Sequence, residues 1–315
     1  MSDPNGLPLH ALYAALAQSG LIARLLELAR DEDLGPAGDA TSAASIPPDA
    51  AGSAIMVART GGRIAGLAAL PDLALAFGAR LRIDTLLRDG HDAQPGQPIA
   101  RLAGPARDLL AIERTALNLV SRLSGVATRT AAFAARLADA RVNGRPAHAR
   151  LYDTRKTTPG LRVLEKYAVR CGGGHCHRIG LFDAVLIKDN HLAGVAVPDL
   201  PGVVARAAAS ARAARPAPAF VEVEVDSLDQ FRALLTLPRG TVDIVLLDNM
   251  TLDQLRHAVA LRDASASRPE LEASGGVTLD SVRAIAQTGV DRISAGTLTH
   301  GATWLDIALD FEPTP

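Results

Sequence analysis

Leu151-Tyr152-Asp153-Thr154-Arg155-Lys156-Thr157-Thr158-Pro159-Gly160-Leu161-Arg162 opens the stretch around which the chain is organised. A helical run follows from Val163 to Arg170. Next come Gly172-Gly173-Gly174, the cluster His175-Cys176-His177-Arg178, and an apolar run ending Ile187-Lys188-Asp189-Asn190-His191. Arg155, Lys156, Arg162, Lys166, Arg170, Arg178 and Lys188 concentrate positive charge here, although the whole chain carries a formal charge of only -1. Fixed cations beside a triple glycine and at the ends of apolar runs predict a pocket for a heavily anionic ligand.

Downstream the same rhythm continues. Short apolar runs at 184–187, 220–225, 242–247, 271–273 and 292–294 alternate with helical segments near 201–215, 228–235, 252–262 and 279–288. Such alternation predicts right-handed βαβ units and a parallel sheet. The runs end on polar or glycine clusters: Asp153 to Lys156, Lys188 to Asn190, Glu222 and Glu224, Asp248-Asn249, Ser274-Gly275-Gly276, and Ala295-Gly296-Thr297. Six polar strand ends in succession are the layout of an α/β-barrel active site. The two glycine-rich loops suit phosphate, because bare backbone N–H groups can approach it closely and Ser274 and Thr297 add hydroxyls. Glu222 and Glu224 share one side of their strand. An inward acid there must pair with a cation or hold a divalent ion such as Mg²⁺.

Upstream, Leu9, Leu12, Leu16, Leu21, Leu25 and Leu28 recur at helical spacing from Leu7 to Asp31, with Gly20 as a break. Glu32 to Ser42 reads as a turn with a capping Asp and Ser. Residues 53–69 and 81–102 hold β-type runs separated by turns, predicting antiparallel hairpins. A helical pattern returns from Pro105 to Ala140. Gly125 is expected to split it into two helices and to mark a domain boundary. Arg114 stands out in that pattern, as either an ion-paired surface residue or a functional one.

Composition bounds the function. With 315 residues, 48% hydrophobic and 21% charged, the chain can bury a large core. A net charge of -1 and 3% aromatics give neither a basic footprint nor stacking platforms for nucleic acid. No apolar run is long enough to span a membrane, and no signal peptide is visible. The two cysteines, Cys171 and Cys176, suit a reduced compartment, so a cytoplasmic location is expected. With His175 and His177 they do not match common zinc-motif spacing.

The runs Thr154 to Arg162, Glu165-Lys166-Tyr167-Ala168-Val169 and Leu186 to His191, together with Leu246-Leu247-Asp248-Asn249 and the Ser274 loop, resemble the quinolinate phosphoribosyltransferase family. The resemblance extends from Glu32 to His300. It implies an N-terminal α/β sandwich domain (1–116, completed by the tail 302–315) and an incomplete, six- or seven-stranded α/β barrel (117–301). The implied reaction joins quinolinate to 5-phosphoribosyl-1-pyrophosphate with Mg²⁺, giving nicotinate mononucleotide, pyrophosphate and CO2 in NAD biosynthesis. By the same resemblance Arg155, His177 and Arg178 hold the quinolinate carboxylates. Lys156 and Lys188 stand at the reacting centre and the pyrophosphate. Glu224 and Asp248 lie near the ribose and the metal, and Ser274, Gly275 and Gly296 take the 5′-phosphate. Arg114 would reach the site from the other subunit of a homodimer. Where the family usually has Asn before the His-Arg pair, this chain has Cys176. A paralogue acting on another acid is disfavoured by the intact Thr154–Arg162 run. A non-catalytic binding protein is disfavoured because Lys156, Lys188 and Asp248 are all present.

Overall fold

The computed structural model describes residues 3–312. In chain order the longer strands are β1 (Ala51–Ala58), β2 (Arg82–Thr85), β3 (Gln97–Pro105), β4 (Arg150–Tyr152), β5 (Val185–Ile187), β6 (Val221–Val225), β7 (Ile244–Asp248), β8 (Glu270–Ser274), β9 (Arg292–Ser294) and β10 (Ile307–Phe311). The main helices are α1 (Leu9–Ala17), α2 (Leu21–Leu34), α3 (Ala40–Ser45), α4 (Leu70–Phe77), α5 (Ala106–Ala138), α6 (Arg162–Cys171), α7 (Leu200–Ala213), α8 (Leu228–Leu234), α9 (Leu252–Ala264) and α10 (Val282–Ala286). The chain forms two compact units. One comprises residues 1–131, 157–173 and 298–315, the other 132–156 and 174–297. The 116/117 division suggested by the family resemblance lies inside α5.

The first unit is built on an antiparallel sheet of order β10-β1-β3-β2. Ala54, Met56 and Ala58 alternate along β1 and are fully buried. The C-terminal strand returns to this sheet, with Ile55 opposite Asp310 and Val57 opposite Ala308. Leu12 and Leu16 of α1 bury the stripe that the leucine spacing predicted, whereas α2 buries Ile22 and Leu26 and leaves the expected Leu21 and Leu28 exposed, at 47% and 64%. Asp39 caps α3, its carboxylate accepting from the Ser42 N–H at 3.0 Å. Among the described residues no single helix is long and apolar enough to cross a membrane. The bent pair α1–α2 passes on length and composition, and it buries Leu12, Leu16, Ile22 and Leu26 in the core.

Gly125 is a correction. It does not break the helix: α5 runs unbroken from Ala106 to Ala138. A Cβ at Gly125 would lie 2.0 Å from the Thr303 carbonyl oxygen. The glycine serves the close approach of a distant segment and pays only the usual helix penalty of roughly 1 kcal/mol relative to Ala.

The second unit carries a six-stranded, wholly parallel sheet of order β4-β9-β8-β7-β6-β5. A parallel bridge from Tyr152 to His175 extends it beyond β4, giving an incomplete α/β barrel. Ile244 to Leu247 are buried without alternation, as expected of a strand covered on both faces. Thr251 caps α9 through a reciprocal pair with Gln254, and Ser227 caps α8. These caps start the helices directly after the strand ends, so the polar clusters all stand on the C-terminal edge of one sheet.

Candidate active site

The C-terminal edge gathers most of the cations and both acids singled out in the sequence. Arg155 and Lys156 follow β4, Lys188 follows β5, Glu224 lies near the end of β6, and Asp248 ends β7. Ser274 ends β8, and Gly296 follows β9. Arg178 follows the short bridge segment and is only 7% exposed. Burial lowers the Arg178 pKa, and the neighbouring Arg155 guanidinium lowers it further. The planar fork of a guanidinium suits a carboxylate.

Lys188 Nζ is hydrogen-bonded to Glu224, so the acid pairs with one of the pocket's own lysines. The Lys188 backbone N–H is fixed by His191 Nδ1 at 2.9 Å. Asp248 accepts from the Asn249 side chain at 2.8 Å, and the Asn249 N–H donates to the Ser274 carbonyl at 2.9 Å. Gly275 sits at φ +90, where a Cβ would come within 2.2 Å of Asn249 Oδ1. Only glycine fits there, and the two loops thereby interlock.

The chemistry of a metal site can be tested on the donors present. Glu224 and Asp248 offer oxygen ligands at the ends of adjacent strands, and Glu224 already neutralises a cation. One or two carboxylates completed by substrate oxygens are what Mg²⁺ ordinarily accepts, so these residues fit the ion.

Beneath this rim lies a cluster that joins His177 and Glu222, both marked in the sequence, to Glu272 and Arg292, which the strand-end pattern does not mark. His177 Nε2 stands 3.0 Å from Glu222 Oε2 and 3.1 Å from Glu272 Oε1. Arg292 Nε donates to Glu272 Oε2 at 2.7 Å, and its guanidinium stacks 3.6 Å from the Tyr152 ring centroid. Both acids are fully buried. Burial disfavours the imidazolium, but the charges of Glu272 and Glu222 outweigh it and push His177 up to about 10. Burial likewise opposes ionisation of Glu272, yet His177 and Arg292 hold it down at about 2. Glu222 moves the other way, raised by burial and by the charge of Glu272. His177, Glu222 and Glu272 lie close enough together to ligate a metal ion. The imidazolium and the guanidinium already balance the two carboxylates, so a dication would leave a large uncompensated charge in the barrel interior. The cluster is an internal ion network.

Arg162, Lys166 and Arg170 lie on α6, in the first unit. Arg162 donates to Thr157 Oγ1 at 3.0 Å, and Arg170 to the carbonyls of Asn5 and Leu7 at 3.2 Å each. Arg114 is exposed on α5. Cys171 and Cys176 are buried and outside any disulfide, one in each unit. Glu272, the acid that the sequence reading lacks, had one signal: like Glu222 it sits mid-strand with apolar neighbours on both sides, where a charge needs a partner.

Comparison with known proteins agrees over nearly the whole chain. The family model of the quinolinate phosphoribosyl transferase N-terminal domain matches residues 39–124, and that of the C-terminal domain matches residues 126–310. A nicotinate-nucleotide pyrophosphorylase (carboxylating) of Mycobacterium leprae is 44% identical over 281 residues, 89% of this chain and 93% of that protein. A probable enzyme of the same name from Bacillus subtilis is 40% identical over 279 residues, 89% of each chain. Among solved structures, the nicotinate-nucleotide pyrophosphorylase of Francisella tularensis superposes with a TM-score of 0.79 at 32% identity, covering 99% of this chain and 100% of that one. The chain belongs to the quinolinate phosphoribosyltransferase family.

Proposed function

We infer that the protein transfers the phosphoribosyl group of 5-phosphoribosyl-1-pyrophosphate to quinolinate with loss of CO2, giving nicotinate mononucleotide and pyrophosphate for NAD biosynthesis. The observation that carries this reading is the rim of the parallel sheet. Arg155, Lys156, Arg178 and Lys188 follow strand or bridge ends on that edge, Lys188 is bonded to Glu224, and glycine loops close the same edge. A dicarboxylate, a phosphate and a pyrophosphate arriving together need this many cations.

In the proposed mechanism Arg155 and Arg178 grip the vicinal carboxylates and orient the pyridine nitrogen toward the sugar. His177 stands next in the chain to Arg178 and assists. The Ser274-Gly275 loop and Gly296 take the 5′-phosphate through backbone N–H groups. As pyrophosphate departs, positive charge develops at the anomeric carbon. Lys156 and Lys188 stabilise the leaving group, while Glu224 and Asp248 steady the ribose. Preorganised donors of this kind supply roughly 3–4 kcal/mol each. Mg²⁺, held by Glu224 and Asp248, would supply further charge neutralisation on the pyrophosphate when bound. The ring nitrogen then forms its bond to the sugar and becomes cationic. The electrons of the adjacent C–CO2 bond remain on the ring carbon beside that cation, CO2 leaves, and a proton from solvent completes the product. No general base is needed.

Three further parts of this reading concern the assembly and its setting. The active form is a homodimer in which Arg114 of the partner subunit enters the site. Mg²⁺ is the metal used. Two buried cysteines outside any disulfide accord with a reducing cytoplasm. The test is incubation with labelled sugar donor and, separately, quinolinate, nicotinate and nicotinamide. Nucleotide formation with CO2 release from quinolinate alone is expected; turnover of nicotinate or nicotinamide in its place would overturn the reading.

A further inference from the structure

We propose that Glu222 and Glu272 are positioning residues for substrate: between them they lock the His177 ring with Nε2 turned into the barrel, leaving Nδ1–H as the donor offered to a quinolinate carboxylate. The inference rests on the reading that this rim binds quinolinate. Its grounds are geometric. Glu222 lies two residues before Glu224 on the same face of β6, and Glu272 two residues before Ser274 on the same face of β8. Both acids therefore stand one side-chain layer below the rim. His177 Nε2 lies between their oxygens at 3.0 and 3.1 Å, so that nitrogen is committed inward. The two ring nitrogens occupy different edges of the imidazole, and committing one fixes where the other points.

The rest of the surroundings hold the ring in that pose. The His177 backbone N–H donates to Asp153 Oδ1 at 2.8 Å. The rings of Phe220 and Tyr152 meet the imidazole edge-on, at 5.4 Å and 85° and at 6.2 Å and 82°. Glu272 is itself tied down by Arg292, which rests on Tyr152. With two carboxylates on Nε2, the ring keeps its second proton, and both nitrogens are donors. A neutral imidazole could present an acceptor lone pair to the substrate carboxylate; this one cannot.

The test is steady-state kinetics of Glu222→Gln and Glu272→Gln, with His177→Ala as the reference background. Each glutamine variant is expected to raise KM for quinolinate by about tenfold or more, the difference between a charge-assisted and a weakened hydrogen bond, with KM for the sugar donor unchanged. In the His177→Ala background Glu222→Gln should add nothing further. Equal rises in both KM values, or additive effects in the double variant, would overturn the proposal. Wild-type protein with ¹⁵N-labelled histidine gives a second measurement that depends on no variant folding. Adding quinolinate without sugar donor should shift Nδ1 of His177 and leave Nε2 in place; a shift confined to Nε2 sinks the proposal. Wild-type turnover of quinolinate reports separately on the underlying function, so the two failures are distinguishable.

Discussion

Replacing Glu165 with alanine should destabilise the first unit severely, and the network around it sets the size of the effect. Glu165 is fully buried on α6 and accepts from Arg122 Nη2 at 2.6 Å and Nε at 3.1 Å. It also accepts from the Thr158 N–H at 3.0 Å and the Thr158 hydroxyl at 2.9 Å. Arg122 donates onward to the carbonyls of Thr299 at 2.8 Å and Ala302 at 3.0 Å. One carboxylate thus ties α5, α6, the loop before α6 and the segment leading to β10. Its removal leaves a largely buried guanidinium uncompensated, which costs about 3–5 kcal/mol. At roughly 2 cal/mol/K per residue over the first unit, about 4 kcal/mol lowers its Tm by about 12 °C. Glu165→Gln keeps an acceptor and should lose less. Scanning calorimetry with urea unfolding as a cross-check reads both variants. A Glu165→Ala protein melting within about 2 °C of wild type would refute the claim that this ion pair holds the unit together.

Arg155→Ala and Lys188→Ala should each lower kcat/KM by a factor of about 100 or more, the loss of roughly 3 kcal/mol of preorganised charge; wild-type-like turnover contradicts the site. Arg114→Ala should be inactive alone yet regain partial activity when mixed with Lys156→Ala subunits, and absence of rescue in mixed assemblies counts against a shared site. The stability contributed by His177, whose pKa rises from 6.5 to about 10, is fully present below about pH 6.5 and is lost as pH climbs toward 10. Urea midpoints should therefore fall across that window in wild type and much less in His177→Asn; equal slopes would contradict the ion network.

The barrel was legible because its signal is local. Alternating apolar runs and helices define the βαβ order, and polar residues at the strand ends mark one edge. The structure bears this out for Asp153 to Lys156, Lys188, Glu224, Asp248, Ser274 and Gly296. What sequence could not give depends on distant partners. Gly125 looked like a helix breaker because its reason is the Thr303 carbonyl, a contact made only on folding. Arg170 was counted with the anion pocket, but its partners are backbone carbonyls near the N-terminus. Glu272 and Arg292 become a pair only when β8 and β9 align in register. Buried charge is the physical quantity hardest to read from a linear pattern, since each partner is supplied by another strand.

The most direct test is a crystal structure with quinolinate and a non-hydrolysable sugar-pyrophosphate donor bound. The account expects the pyridine dicarboxylate between Arg155 and Arg178, the 5′-phosphate on the Ser274-Gly275 loop, and the pyrophosphate near Lys156 and Lys188. Density for the dicarboxylate anywhere other than the C-terminal edge of the parallel sheet would contradict it.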